Sequence, residues 1–152
     1  MKQIPELIVM LTHNDRTVAD AIDVFEAAKN SKAKYWGFKE VGIPEEEMKD
    51  LVARMKAAGK TTFLEVVDYT EEGCVAGAEI GARCGFDVLM GTMYFDSVKA
   101  VADKAGMKYM PFVGQISGRP SILEGTIEGM IEEARSLIHI SEPTRLLSIS
   151  YA

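Results

Sequence analysis

The sequence is poor in cysteine, and its two thiols, Cys74 and Cys84, stand ten residues apart. On one helix this spacing corresponds to about 15 Å of rise, well beyond the roughly 7 Å Cα separation that a disulfide tolerates. Neither cysteine belongs to a Cys-x-x-Cys pair or has a histidine nearby, so no zinc site is predicted. We expect two small buried thiols in the reducing environment of the cytoplasm.

Positive charge and long apolar runs are also scarce. Only 17 Lys and Arg oppose 23 Asp and Glu, which gives a net charge of -6, and no basic run is present. Such a chain binds phosphate backbones poorly, so nucleic acid is not an expected partner. No apolar stretch approaches the roughly 20 residues of a membrane span, and the first residues do not resemble a signal peptide, so no membrane partner is expected.

A short apolar run, a polar loop and an amphipathic helix recur in this order five times. This alternation predicts a parallel sheet with helical crossovers. Asp96 is predicted to cap the fourth helix, and Ser121–Glu124 has the spacing of a capping box that opens the fifth. The five apolar runs are Leu7–Thr12, Tyr35–Lys39, Thr61–Val67, Asp87–Gly91 and Lys108–Val113.

Two architectures fit this alternation. One is a complete five-stranded doubly wound sheet of strand order 2-1-3-4-5, and the other is part of a (β/α)8 barrel with its strands in sequential order. The length favours the first, but polar residues inside strands favour the second. Trp36 and Phe38 suit a layer of helices, which directs Lys39 to the opposite face, and Glu65 would be costly to bury under a helix. We therefore predict an α/β fold, a truncated (β/α)8 TIM barrel of about five βα units in strand order 1-2-3-4-5.

The sequence changes character after Arg135. Residues 136–145 resemble the conceptual translation of a transposon adapter used to prepare sequencing libraries. We therefore expect a partial barrel domain over residues 1–135 and a non-native, adapter-derived tail over residues 136–152, a genuine C-terminal cap being the alternative. His139 accordingly receives no functional role.

Polar residues follow every predicted strand, at the end where parallel α/β folds carry their sites. Lys39 and Glu65, on neighbouring strands, are predicted to form an inward ion pair. In it Lys39 acts as a general acid/base or as a cation beside a developing enolate, and Glu65 orients it. A purely structural salt bridge is the alternative. The predicted substrate-binding residues are His13, Asn14, Asp15, Asp68, Thr92, Gln115, Ser117 and Arg119.

Some of these residues have a competing structural interpretation. Asp15 and Asp68 are equally placed to cap the first and third helices. The segment Gly114–Pro120 brings glycine, a hydroxyl and Arg119 ahead of a predicted helix start, which suits a bound phosphate or carboxylate, although an ordinary loop fits as well. No nucleotide-binding glycine motif is present, and neither a metal nor a cofactor is predicted.

The succession of units, with Trp36–Lys39 and Phe63–Asp68, resembles the ribulose-phosphate-binding barrel superfamily, and in particular its uncharacterised bacterial members. The resemblance covers residues 4 to about 135. The decarboxylase and epimerase branches carry an Asp-x-Lys-x-x-Asp motif on strand three, but alignment on Glu65 places Val67 and Thr70 at its last two positions. That catalytic assignment therefore does not transfer. The resemblance implies an inward Lys39 on strand two and a small phosphorylated ligand.

The first functional hypothesis is an enzyme of carbon-acid chemistry (isomerisation, epimerisation or aldol-type cleavage) on a small phosphorylated metabolite, inactive as this fragment. Lys39 and Glu65 would act at the reacting carbon, and Arg119 would hold an anionic group. The alternatives are a non-catalytic barrel that binds a phosphometabolite, and a complete doubly wound nucleotide-binding or receiver-like domain. Homo-oligomerisation of the full-length protein is left open.

Overall fold

The computed structural model describes residues 6–118 and 121–141, with side chains described as far as residue 138. It divides the chain into two compact units, Met1–Pro111 and Phe112–Ala152. In chain order, the described elements of the first unit are β1 (Ile8–Met10), β2 (Thr12–His13), β3 (Arg16–Thr17), α1 (Ala21–Ala28), β4 (Tyr35–Lys39), α2 (Glu45–Ala57), β5 (Thr61–Glu65), α3 (Glu71–Cys84), β6 (Val88–Met90), α4 (Asp96–Ala105) and β7 (Lys108–Met110).

The main sheet has five parallel strands in the order β1-β4-β5-β6-β7, which is their order along the chain. The 2-1-3-4-5 order of a doubly wound sheet is therefore not the one observed. The helices α1 to α4 pack each against the next in the same sequence. Crossovers between successive parallel strands are right-handed as a rule, which places successive helices on the same face of the sheet. The contacts between neighbouring helices agree with this placement. The predicted α/β fold with a parallel sheet is confirmed.

The face of the sheet under the helices is apolar. Trp36 and Phe38 of β4 are buried there, as is Leu64 of β5. The Trp36 ring meets Phe25 of α1 edge to face at 5.3 Å, and Phe38 meets Phe86 at 4.9 Å. These alternating positions are the ones that the sequence assigned to the helix layer.

The opposite face carries the other alternating residues of each strand. Tyr35 and Phe63 meet there edge to face at 5.7 Å. Between them Gly37 brings the strands close, because a Cβ at this position would lie 2.7 Å from the Phe63 carbonyl oxygen and 2.8 Å from Met10 Sδ. At the edge strand β7, Met110 is 47% exposed. Apart from Lys39 and Glu65 at its carboxyl end, this second face is therefore largely apolar, and it is only partly covered.

Several local predictions need correction. The segment after β1, predicted as a loop at residues 13–16, is an antiparallel hairpin of β2 and β3. The residue preceding α4 is Phe95, so Asp96 is the first helical residue and its carboxylate accepts a hydrogen bond from the Tyr94 hydroxyl at 2.9 Å.

Cys74 and Cys84 both lie in α3, free and buried as predicted, and burial raises the pKa of each thiol.

The second unit contains an antiparallel pair, β8 (Gln115–Ser117) and β9 (Ile122–Glu124), and the helix α5 (Ile127–Ser141). The capping box predicted at Ser121–Glu124 is wrong, because most of this segment forms β9. Instead the Thr126 hydroxyl accepts the Gly129 N–H at 3.1 Å and caps α5. Residues 136–141 of the predicted tail continue α5, and residues 142–152 lie outside the described part of the chain. Among the described helices, none has the length and apolar composition needed to cross a membrane.

A carboxylate fastens the amino-terminal ends of β5 and β6. Asp87 Oδ2 accepts hydrogen bonds from the N–H and the hydroxyl of the fully buried Thr62, each at 2.8 Å, and Oδ1 pairs with Lys56 Nζ at 2.9 Å. Burial opposes the ionisation of Asp87, but the donors on Thr62 and Lys56 outweigh it. The pKa of Asp87 therefore lies below its ordinary value of 3.8.

Replacing Asp87 by alanine is expected to lower the free energy of unfolding by about 2 kcal/mol, because the buried donors of Thr62 lose their acceptor. Urea unfolding followed by the fluorescence of Trp36, the one tryptophan of the chain, measures this loss. The matched control is Asp103→Ala, which removes an exposed carboxylate paired with Lys99 one helical turn away and should change stability by less than about 0.5 kcal/mol. Equal effects of the two substitutions would contradict the assignment.

The same pair of proteins gives a dependence on pH. Since the folded-state pKa of Asp87 is lowered, its stabilisation is complete above the ordinary pKa and is lost as the pH falls through the folded-state value. The difference in stability between the wild type and Asp87→Ala should therefore be constant near neutrality and shrink below about pH 4. A difference that does not change on acidification would show that the carboxylate gains nothing from ionisation.

Candidate functional site

Lys39 is the last residue of β4, and its side chain is only 8% exposed. It lies at the carboxyl end of the parallel strands, on the face opposite the helices. Glu65 ends the neighbouring strand β5 in register with it, and Lys39 Nζ lies 3.7 Å from Glu65 Oε2. The predicted ion pair is confirmed. The Glu65 side chain is 26% exposed, so water reaches this end of the sheet.

A second carboxylate binds the same ammonium. Asp15, in the turn between β2 and β3, accepts a hydrogen bond from Lys39 Nζ through Oδ1 across 24 residues of sequence. Asp15 does not cap α1, since the residue at the start of that helix is Asp20, which makes no capping side-chain bond. The interpretation of Asp15 as a helix cap is wrong. Lys39, Asp15 and Glu65 together form what we call the rim cluster.

The hairpin that carries Asp15 is fastened to the end of β4. The Thr17 hydroxyl donates to the Lys39 carbonyl at 2.8 Å and accepts the Lys39 N–H at 2.9 Å. Thr17 is buried, and its own N–H donates to the Val41 carbonyl at 2.9 Å. The pairing of β1 with β4 ends at Gly37, and the hydrogen bonds of Thr17 take the place of backbone pairing at Lys39. They fix the backbone of Lys39 in position.

Glu65 has its own support from a glycine that the sequence analysis did not single out. Gly91 directly follows β6 with a φ of +87°, a conformation that a side chain would strain. A Cβ there would lie 3.1 Å from Glu65 Cγ and 3.0 Å from the Val66 carbonyl oxygen. Gly91 therefore leaves the space in which the Glu65 side chain lies.

Two residues predicted to bind substrate are engaged elsewhere. The fully buried Thr92 shares a hydrogen bond with the Tyr109 hydroxyl at 2.8 Å. Asp68 Oδ1 accepts from the N–H and the hydroxyl of Thr70 at 2.8 and 2.7 Å, and Thr70 caps α3 by accepting the Gly73 N–H. Asp68 thus supports the start of α3 through the capping residue, and it is not itself the cap.

The remaining predicted residues are spread over both units. His13 ends β2 and is exposed, and Asn14 occupies the turn next to Asp15. Gln115 and Ser117 lie in β8 of the second unit, where both are exposed. Arg119 lies outside the described residues.

The anion loop predicted at Gly114–Pro120 does not lead into a helix. Its described part forms β8, and β9 intervenes before α5 begins. The N–H of Gly114 donates to Glu133 Oε2 at 2.6 Å, beside a cleft of about 330 Å³ lined largely by glycines and the start of α5. The expected helix start directly after this segment is wrong, and binding of a phosphate or carboxylate by the segment stays a prediction.

The fold and the rim cluster define an α/β domain with a charged centre at the carboxyl end of its parallel sheet. Comparison with protein-family models, with curated proteins and with solved structures finds no match for this chain. Within the part of the chain that the structure describes, no group of histidine, cysteine or carboxylate side chains could hold a metal ion. The side chains of the cluster itself are one ammonium and two carboxylates, which can donate protons, accept protons and stabilise charge.

Replacing Thr17 by valine should lower the free energy of unfolding by about 1–3 kcal/mol, since the N–H and the carbonyl of Lys39 lose their shared partner. Thr17→Ser keeps the hydroxyl and is the matched control, with a loss below about 1 kcal/mol. Urea unfolding gives both values, and hydrogen exchange at the Lys39 amide locates the effect. If valine and serine cost the same, the hydroxyl does not fasten the hairpin.

Proposed function

We propose that this protein is an enzyme of carbon-acid chemistry, an isomerase, epimerase or lyase of the aldolase type, that acts on a small phosphorylated metabolite. The observation that supports it best is the rim cluster. An ammonium with 8% of its side chain exposed lies beside two carboxylates at the end of the sheet where α/β enzymes carry their active sites. An ordinary surface salt bridge would not require the lysine to be removed from water in this way.

The architecture proposed with this function is a (β/α)8 barrel, of which this chain supplies five βα units. Its support is the sequential order of the parallel strands and the single layer of helices. Charged side chains on the opposite face agree with it too, because that face would line the barrel interior and its rim.

In the proposed reaction the substrate presents a carbonyl to Lys39 and the adjacent C–H to a carboxylate. The carboxylate takes the proton, the C–H electron pair moves to the carbonyl oxygen, and the ammonium stabilises the enolate. Glu65 orients Lys39 and is the carboxylate fixed on a central strand, so we assign the proton transfer to it. Return of the proton from Glu65 to the neighbouring carbon, with the hydroxyl proton of that carbon passing to the enolate oxygen, gives isomerisation. Epimerisation needs a second proton donor, because the same carbon must regain a proton on its opposite face.

The phosphorylated class of substrate is supported by sequence alone. It comes from the resemblance to the ribulose-phosphate-binding superfamily and from the predicted role of Arg119 in holding an anionic group. Phosphate is therefore the part of the proposal that a substrate panel tests most directly.

The test uses the full-length barrel protein, since the fragment is expected to be inactive, and measures exchange of substrate C–H for deuterium in heavy water by proton NMR over a panel of aldose and ketose phosphates. The wild type should exchange a proton next to the carbonyl of at least one compound. Lys39→Met should slow this by about 100-fold or more, the size expected for losing a charge-stabilising donor. Lys49→Met is the matched control, since Lys49 is a surface lysine that also pairs with two carboxylates, and it should leave the rate unchanged.

Exchange that survives Lys39→Met would remove Lys39 from the chemistry. The rim cluster also favours one other function, because Lys39 is already balanced by two carboxylates and can serve recognition only. Binding of a panel compound by the wild type without exchange, weakened in Lys39→Met, would establish a non-catalytic phosphometabolite-binding protein instead.

A further inference from the structure

The two carboxylates on Lys39 are held in different ways. Glu65 belongs to a central strand, in register with Lys39, and packs against Gly91. Asp15 lies in the two-residue turn of a hairpin whose strands are two residues each, and its side chain is 57% exposed against 26% for Glu65. Of the two carboxylates, Asp15 is therefore the one with more of its side chain in water, and Glu65 is the one set in the sheet.

The turn is built from residues that glycine would replace with less strain. Asn14 and Asp15 have φ values of +48° and +60°, both in the left-handed region. Asparagine and aspartate tolerate this conformation, but the second position of such a hairpin turn favours glycine. The backbone of the turn therefore does not require an aspartate at position 15, and the carboxylate of Asp15 accepts a hydrogen bond from Lys39.

We propose that Asp15 is a displaceable counter-ion, which binds the Lys39 ammonium in the unliganded protein and yields it to an oxyanion of the ligand. The inference deepens the proposed function, on which it rests, by stating where the anionic oxygen of the substrate binds. The ammonium is nearly buried, so an incoming oxyanion competes with the two carboxylates for access to it. Asp15 is the partner that rehydrates at little cost, because more than half of it already meets water.

Removing a residue that binds the oxyanion would weaken the affinity for that oxyanion. If Asp15 is a displaceable counter-ion, its removal has the opposite effect. A carboxylate that only competes lowers affinity, so its removal must raise it. Asp15→Gly removes the carboxylate and suits the left-handed turn, which keeps the hairpin in place. Asp15→Asn is a second variant, with the same shape and no charge.

The experiment is calorimetric titration of the full chain with oxalate, a planar mimic of an enolate, and separately with inorganic phosphate. Asp15→Gly and Asp15→Asn should both bind oxalate about tenfold more tightly than the wild type. Asp103→Asn is the matched control, since it neutralises an exposed carboxylate that pairs with a different lysine, Lys99, and it should bind like the wild type. Adding Lys39→Met to Asp15→Gly should abolish the gain, which places the oxyanion on the ammonium.

Equal or weaker oxalate binding in both Asp15 variants would overturn the proposal, as would oxalate binding that does not respond to Lys39→Met. Absence of oxalate binding in every variant would also overturn it. A gain with phosphate but not with oxalate would show that the displaced partner yields to a phosphate, and the enolate assignment would fail. The outcome is separate from that of the exchange assay, because oxyanion binding needs no turnover, and exchange can depend on Lys39 without any competition from Asp15.

Discussion

The Lys39 ammonium is the charge around which this end of the molecule is organised. Its side chain is almost removed from water, and an unpaired charge at such a position would destabilise the fold by several kcal/mol. Two carboxylates balance it, one from the adjacent strand and one from the hairpin after β1. The Thr17 hydroxyl in turn holds the hairpin to the backbone of Lys39. The same hairpin therefore both packs against the end of β4 and supplies the Asp15 carboxylate that balances the ammonium.

The two ends of the parallel sheet have different tasks. At the amino-terminal end, Asp87 joins β5 to β6 through buried donors on Thr62, an arrangement that serves stability. At the carboxyl end, the cluster of Lys39, Asp15 and Glu65 keeps two partly hydrated carboxylates around one ammonium, the arrangement on which the proposed function rests. This division is typical of folds whose strands all run in one direction, since it leaves one end free for function.

Contacts between neighbouring strands were the part of the site that could be predicted. Lys39 and Glu65 follow from strand alternation and from the pairing of consecutive parallel strands, both of which are local rules. Asp15 was named as a candidate, but its contact spans 24 residues and depends on how a short hairpin packs onto β4. Thr17 and Gly91 were missed. The Asn14–Asp15 pair between two short polar strands was the one signal that could have indicated the hairpin.

The sequence by itself determined the alternation of strands and helices, the face of the sheet that each strand residue occupies and the freedom of both cysteines from a disulfide. These follow from periods of 2 and 3.6 residues and from spacing along one helix. The tertiary structure settled the choice between the two strand orders in favour of the predicted sequential one, and it alone decided the second carboxylate on Lys39 and the strand formed by Ile122–Glu124 in place of a helix cap. Each of these depends on pairing between segments that are distant in the chain, and a partner's backbone or charge can override what a short segment favours alone.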